Sequence, residues 1–134
     1  MTPDVVHFPE GLPGFESCRR YVVMAGPSFE PFCSLQGQGA DAPAFVTIDP
    51  RRVAPDFPCA LDPTDRARLH LSSDETPEST PLLWLAIVTV GDAGATVNLR
   101  APIVINPLAM RGVQLMPVAS DQPLALSLLP AEGV

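Results

Sequence analysis

The feature that most constrains this chain is its proline content. Proline makes up 17 of the 134 residues, about 13% of the chain against roughly 5% in an average protein. Because proline ends helices and is excluded from central strands, so many prolines leave room only for short elements joined by turns. The sequence therefore predicts a fold of many short elements rather than a few long ones.

The segments between the prolines mostly have the composition of β-strands. They are short, rich in β-branched or aromatic residues, and bounded by glycine and proline turns. The segment 82–90 is apolar throughout, which is typical of a strand buried on both faces, and this places Trp84 in the core. The predicted strands span residues 5–8, 19–26, 32–36, 44–49, 82–90, 96–100, 103–106, 111–116 and 124–129.

Helix signals are confined to one short segment. Asp62 can cap a helix, Pro63 suits the first helical position, and Asp65 suits the positive end of the helix dipole. Because no long 3.6-residue pattern follows, the helix is expected to cover only residues 63–70. The next segment, 72–81, is acidic and interrupted by proline, so we predict a loop there.

Length and strand pattern together predict one all-β domain over residues 1–134. A chain of this size buries roughly 68% of its unfolded surface, which is enough for one core without disulfide bonds. About eight or nine short strands with one short helix are typical of an antiparallel pseudo-barrel or sandwich.

The charge balance narrows the class of partner. The net charge is −7, and all eight cationic side chains are arginine. Direct binding to nucleic acid is disfavoured, because phosphate contacts need a basic surface, whereas a basic protein partner would be attracted. The alternative is that the charge serves only solubility.

Cysteine spacing and the N-terminal segment indicate a cytoplasmic protein. Cys18, Cys33 and Cys59 are widely spaced without a CxxC pair, which disfavours a disulfide framework or a zinc site. The N-terminus lacks a signal-peptide pattern, and the longest apolar run is far shorter than the ~20 residues of a membrane span. We therefore expect reduced thiols and no membrane association.

No catalytic, cofactor-binding or metal-binding residues are predicted. The loose GxGxxA match at 37–42 precedes a strand rather than a helix, so it is not a dinucleotide fingerprint. His7 and His70 are far apart in sequence and form no HExxH pair. Cys33 has no evident base, and strand thiols are usually inert core residues.

Three polar residues interrupt the apolar strands near the C-terminus. Asn98 and Asn106 flank a break at Pro102, and asparagine side chains readily bond nearby backbone groups that such a break leaves unpaired. The alternative is that these two residues, with Arg100, form a contact surface for a partner.

Several motifs in this chain, taken in order, resemble the FliW family of flagellar assembly factors. They are "FPEGLPGFE" at 8–16, "FCSLQ" followed by "AFVTIDP" up to residue 50, and "IVTV", "TVNLRAPIVIN" and "RGVQ" between 82 and 116. Positions 51–81 match poorly, and Gln122 stands where the family often has tyrosine.

The resemblance implies a non-enzymatic regulator with a twisted all-β pseudo-barrel. Proteins like FliW bind the RNA-binding translational repressor CsrA, which frees flagellin mRNA for translation, and they also bind flagellin. Acidic loop residues would then face the basic surface of CsrA, the alternative being a solvated loop. The predicted partner-binding residues are Asp62, Asp65, Asp74, Glu75, Glu78, Asn98, Arg100 and Asn106.

A second function class is compatible with the sequence. A small β-barrel can hold an apolar ligand in its interior. Leu124, Leu126 and Leu128 alternate along the last predicted strand and share one face, so they are candidates to line such a pocket.

Overall fold

The computed structural model describes residues 5–28, 30–71, 81–92, 94–116 and 122–127, and it confirms the all-β prediction. It contains a short helix, α1 (Pro63–Arg68), and a 3-10 turn at Pro50–Arg52. The strands are β1 (Val5–His7), β2 (Arg20–Met24), β3 (Phe32–Gly37), β4 (Ala44–Ile48), β5 (Leu83–Gly91), β6 (Gly94–Val97), β7 (Ile103–Asn106), β8 (Arg111–Gln114) and β9 (Leu126–Ser127).

Seven strands close into a barrel in the order β4-β3-β2-β1-β8-β7-β5, with β5 pairing back to β4. Consecutive strands pair antiparallel, whereas β1 and β8 pair in parallel, His7 lying opposite Arg111. Strands β6 and β9 continue the sheet outside the closed ring from the far half of β5. The barrel is therefore closed by strands from opposite ends of the chain.

Strand β5 is long because it has three neighbours. Its first part pairs with β7, its middle with β4, and its last part with β6, as Leu85–Ile103, Thr47–Ile87 and Val90–Ala95 show. The prediction that this strand is buried on both faces is right for Trp84–Ala86 and wrong for its end. Val90 is 75% exposed, since the β5–β6 hairpin extends beyond the barrel.

One face of the barrel strands encloses an apolar cluster, here called the inner core. Because side chains alternate along a strand, the same face runs around the ring through cross-strand partners such as Val6 and Tyr21, or Leu85 and Ile103. Strand β8 contributes Gly112 instead, and the Phe8 ring fills the space above it. The buried members are Val6, Phe8, Leu12, Tyr21, Leu35, Leu85, Ile103 and Ile105.

The opposite face carries a second cluster, here called the outer core. Trp84, 4% exposed as predicted, packs edge-to-face on Phe57 with ring centroids 6.2 Å apart. The segment 50–71, which contains the 3-10 turn and α1, covers this face with Phe57 and Leu69. The buried members are Ile48, Phe57, Leu69, Trp84, Ala86, Val88, Val97, Leu99, Val104, Val113 and Leu115.

The predicted start of α1 is confirmed, and its predicted end is two residues too late. Asp62 caps the helix by accepting a hydrogen bond from the Asp65 backbone N–H at 2.7 Å, and Pro63 takes the first position. The helix ends before His70, whose φ of 60° lies in the left-handed region. This positive φ has no simple sequence signal at a histidine.

Two strand predictions near the C-terminus need correction. The strand at 96–100 ends at Val97, because the chain turns at Asn98. The strand at 124–129 is shorter within the described residues, which stop at Ser127. Leu126 packs against the outer core and Leu124 is 55% exposed, so neither lines the barrel interior; Leu128 lies outside the described residues.

Candidate functional site

A cleft of about 1030 Å³ lies on the outside of the barrel beside α1. Its floor is the edge of the outer core, where the buried side chains of Trp84, Leu99 and Leu115 line the cleft. One wall is the 57–68 segment, and the facing wall combines the loop after β1 with residues 114–116. The cleft is therefore built where the irregular segment meets the strands.

The rim of the cleft is acidic. Four carboxylates line it, against two guanidinium groups. Arg68 links the two walls, because it pairs with Glu10 in the loop after β1 and with Asp65 at 3.1 Å. The four acids are Glu10, Glu16, Asp62 and Asp65, and the two arginines are Arg68 and Arg100.

Two of the carboxylates have shifted pKa values with different causes. Burial, followed by the neighbouring Asp62 carboxylate, raises the pKa of Asp65 despite its ion pair with Arg68. The Gly14 backbone N–H, which donates to Glu16 at 3.0 Å, lowers the pKa of Glu16. Glu16 is exposed and ionised at neutral pH, so it adds negative potential at the cleft mouth.

The loop that carries Glu10 and Glu16 is compact for a steric reason. Gly11 has φ +65°, and a Cβ there would lie 2.7 Å from the Glu16 Cα. Only glycine allows that approach, which folds the FPEGLPGFE segment back so that both glutamates reach the same cleft. Sequence reasoning missed these two residues and Arg68, although the double glycine of the motif indicated a tight turn.

Three of the predicted partner-binding residues meet at the cleft. Asp62 and Asp65 line it from the α1 segment, and Arg100 lines it from the segment after β6. The Arg100 Nε donates to the Gln122 carbonyl at 2.9 Å, so this side chain also holds the C-terminal segment in place. Arg100 therefore has a structural contact in addition to its position in the cleft.

The two asparagines have local structural roles. The Asn98 Oδ1 accepts from the backbone N–H groups of Arg100 and Ala101, at 2.9 and 3.1 Å. The Asn106 Oδ1 accepts in the same way from Leu108 and Ala109, at 3.1 and 3.4 Å. Each side chain thus supplies the hydrogen bonds of a turn that directly follows a strand. The groups bonded by Asn98 lie next to the break at Pro102, as predicted, whereas those bonded by Asn106 lie in the turn after β7.

Asn106 must be removed from the predicted partner surface. It is 2% exposed, and its Nδ2 donates to the Leu69 carbonyl at 2.8 Å, which ties the end of α1 to the barrel. A side chain whose polar atoms are bonded internally and covered by protein is not available to a partner. Asp74, Glu75 and Glu78 lie outside the described residues.

Three kinds of feature are absent among the described residues: metal sites, a dinucleotide-binding motif and membrane-spanning helices. They contain no group of three His, Cys, Asp or Glu side chains placed to hold a metal ion. The glycines of the 37–42 match lie in the β3–β4 hairpin, not between a strand and a helix. Among the helices that the structure describes, none has the length and apolar character to cross a membrane.

Comparison with known proteins identifies the chain's family. A family model described as "FliW protein" matches residues 1–128. The chain belongs to the FliW family. A crystal structure of the flagellar assembly factor FliW superposes with a TM-score of 0.82 at 29% identity, covering 97% of this chain and 89% of that one.

Relatives agree in name, and about a third of the aligned residues are identical to those of this chain. The flagellar assembly factor FliW of Natranaerobius thermophilus is 35% identical over 120 residues, which is 87% of this chain and 76% of that protein. The FliW of Geotalea uraniireducens is 36% identical over 105 residues, 77% of this chain and 61% of that protein. These names support a role in flagellar assembly, and they indicate assembly or regulation rather than catalysis.

Proposed function

We propose that this protein is a cytoplasmic flagellar assembly factor that binds a CsrA-type RNA-binding regulator and flagellin. By holding the regulator, it keeps flagellin mRNA available for translation. When flagellin accumulates, flagellin occupies the assembly factor, and the released regulator represses translation. The action is an exchange of protein partners and involves no chemical step.

The observation that carries the proposal is an acidic cleft on a chain of the FliW family. An RNA-binding regulator needs a basic surface for phosphate contacts, and a rim of four carboxylates with two arginines complements such a surface. The net charge of −7 acts in the same direction, because it accelerates the approach of a basic protein and repels RNA.

The test is a mobility-shift competition. CsrA is bound to a flagellin leader RNA, and the purified protein is added in increasing amounts. We expect the RNA to be released while the protein itself leaves free RNA unshifted. Added flagellin should then restore the CsrA–RNA complex. If excess protein leaves the CsrA–RNA complex intact, the proposed antagonism of CsrA is wrong.

Binding to flagellin needs its own measurement. Size-exclusion chromatography of the protein with purified flagellin should give a joint peak, and CsrA added beforehand should reduce it. If the protein binds CsrA but not flagellin, the proposed sequestration of CsrA stands and the proposed feedback by flagellin is wrong.

A further inference from the structure

We infer that the acidic cleft beside α1 receives a peptide segment of the protein partner that carries a bulky apolar side chain flanked by positively charged ones. The inference rests on the proposed function for the identity of the partner. The chemistry of the segment follows from the cleft itself, which has an apolar part and an anionic part close together.

The apolar part of the cleft is accessible at its edge. Met116 is 62% exposed and follows buried Leu115, and half-buried Leu61 lies on the α1 wall. An unbranched, polarisable methionine adapts to side chains of different shape. Covering these residues with an apolar side chain removes hydrophobic area from water and stabilises the complex.

The anionic part has carboxylates available for a cation. Arg68 is shared by Glu10 and Asp65, whereas Glu16 and Asp62 have no ion-pair partner in the part of the chain that the structure describes. Both are exposed; Glu16 accepts a hydrogen bond from the Gly14 backbone N–H, and Asp62 accepts one from the Asp65 backbone N–H and also lies close enough to the Asp65 carboxyl to raise its pKa. A lysine or arginine on the incoming segment therefore finds acceptors that do not require Arg68 to move.

The volume of the cleft and the charge of its rim together indicate which class of molecule it binds. The volume of about 1030 Å³ lies at the upper end of small-molecule sites, which span roughly 300–1000 Å³. The rim repels nucleic acid and acidic peptides. A cationic, apolar-anchored segment of a folded or unfolded protein satisfies both parts of the cleft.

Trp84 offers a direct readout, because it is the chain's single tryptophan and lies in the cleft floor. Three synthetic peptides of equal length are titrated while Trp84 fluorescence is recorded. The first has a leucine flanked by arginines, the second a leucine flanked by glutamates, and the third a serine flanked by arginines. We expect the leucine–arginine peptide to bind at least about tenfold more tightly than either of the others, which corresponds to roughly 1.4 kcal/mol. Equal affinity for the leucine–glutamate peptide would overturn the inference.

Charge-neutral variants test the anionic part. In Glu16→Gln with Asp62→Asn, the amide oxygens can still accept from the Gly14 and Asp65 N–H groups, while two charges are lost. The matched control is Asp41→Asn with Asp92→Asn, two exposed acids outside the cleft. We expect the cleft pair to weaken the leucine–arginine peptide about fivefold to tenfold and the control pair to weaken it by less than twofold, with the difference shrinking at high salt.

A second pair of variants tests the apolar part. Met116→Ala removes an exposed side chain at the cleft, whereas Leu108→Ala removes a similarly exposed one, 74% accessible, in the β7–β8 turn. Binding should weaken severalfold in the first variant and stay unchanged in the second. Equal effects at the two positions would contradict a defined apolar contact in the cleft.

The same variants separate this inference from the proposed function. Suppose that the unmutated protein binds CsrA or flagellin, and that the cleft variants bind these partners with the same affinity as the control variants. The cleft is then not the contact surface, so the inference fails while the proposed function stands. If the protein binds neither, the proposed function fails, and the peptide titration alone decides whether the cleft has the stated preference.

Discussion

The two faces of the barrel wall are covered in different ways. The inner core is enclosed mainly by the strands, since alternate side chains of the ring meet inside it, and the loop after β1 adds Phe8 and Leu12. The outer core needs a separate cover, the segment 50–71, which contains a 3-10 turn and a six-residue helix. That cover is fixed by a few specific contacts, among them the Asn106–Leu69 hydrogen bond and the Arg68–Glu10 pair.

This difference decides where in the molecule the proposed partner surface lies. In a closed ring of strands, the inner side chains have little conformational freedom. The irregular segment 50–71 covers the outer core less completely and leaves a gap where it meets the strands. The acidic cleft is that gap, because its floor is outer core and one wall is the cover. The proposed partner surface therefore lies in the part of the molecule that depends least on strand pairing.

The largest effect is expected where the two cores share strand β5. Trp84→Ala should lower the free energy of unfolding by about 3–5 kcal/mol, and Leu85→Ala, on the inner face, by about 2–5 kcal/mol. Urea titration followed by circular dichroism measures both without relying on tryptophan. The control is Val90→Ala on the same strand, 75% exposed, which should change stability by less than about 0.5 kcal/mol. A small loss for Trp84→Ala alone would mean that the outer core contributes little.

An overpacking change tests the inner core at Gly112, where the Phe8 ring takes the place of a side chain. A Cβ on Gly112 would lie 2.5 Å from the Phe8 ring, so Gly112→Ala should cost about 1–3 kcal/mol. Gly91→Ala is the control, since nothing lies within 4 Å of its Cβ position. Phe8→Leu should recover part of the loss in the Gly112→Ala background. Absence of any recovery would show that the strain arises elsewhere.

Asn106→Ala tests how the cover is attached. It leaves the Leu69 carbonyl and two turn N–H groups without their partners, so we expect a loss of about 1–3 kcal/mol. Hydrogen exchange should accelerate in α1 more than in β2 or β3. Uniform acceleration throughout the chain would indicate that cover and barrel unfold as one unit.

The smallest effect concerns Asp62 and the titration of Asp65. A raised folded-state pKa means that ionised Asp65 costs stability, so its contribution becomes less favourable as pH rises from the unfolded value near 3.8 through the folded value. Asp62→Asn keeps a cap and removes the nearby charge, which should lower the pKa of Asp65 and reduce that cost. Carboxyl NMR titration measures the shift, and an unchanged pKa of Asp65 would exclude the Asp62 contribution. Asp62→Ala, which loses the cap, should cost about 1 kcal/mol.

What the sequence predicted well follows from local chemistry. Strand positions, the Asp62–Pro63 helix start and the burial of Trp84 each depend on residues within a few positions of one another. That Asn98 and Asn106 would bond nearby backbone groups could be predicted for the same reason, because each side chain bonds an N–H group only two residues further along the chain.

What the sequence did not predict depends on contacts between distant segments. No short stretch of sequence predicts that β1 pairs with β8 or that β5 has three neighbouring strands, because these pairings join segments that are distant in the chain. The cleft joins Glu10 and Glu16 to α1 residues around 62–68, so its acidic rim appears only once the loop and the cover lie side by side. Burial of Asn106 was missed because its Leu69 partner comes from the cover.

The parallel contact between His7 and Arg111 has a consequence for biosynthesis. Strands β1 to β4 can pair with one another as soon as they leave the ribosome, but this ribbon has two unpaired edges, at β1 and at β4. The β4 edge is covered only when β5 is made, and the β1 edge only when β8 is made. Open strand edges are templates for pairing with other chains. The nascent protein is thus most exposed to misassembly during the interval between synthesis of β4 and release of β8, and slower elongation over that interval would lengthen the exposure.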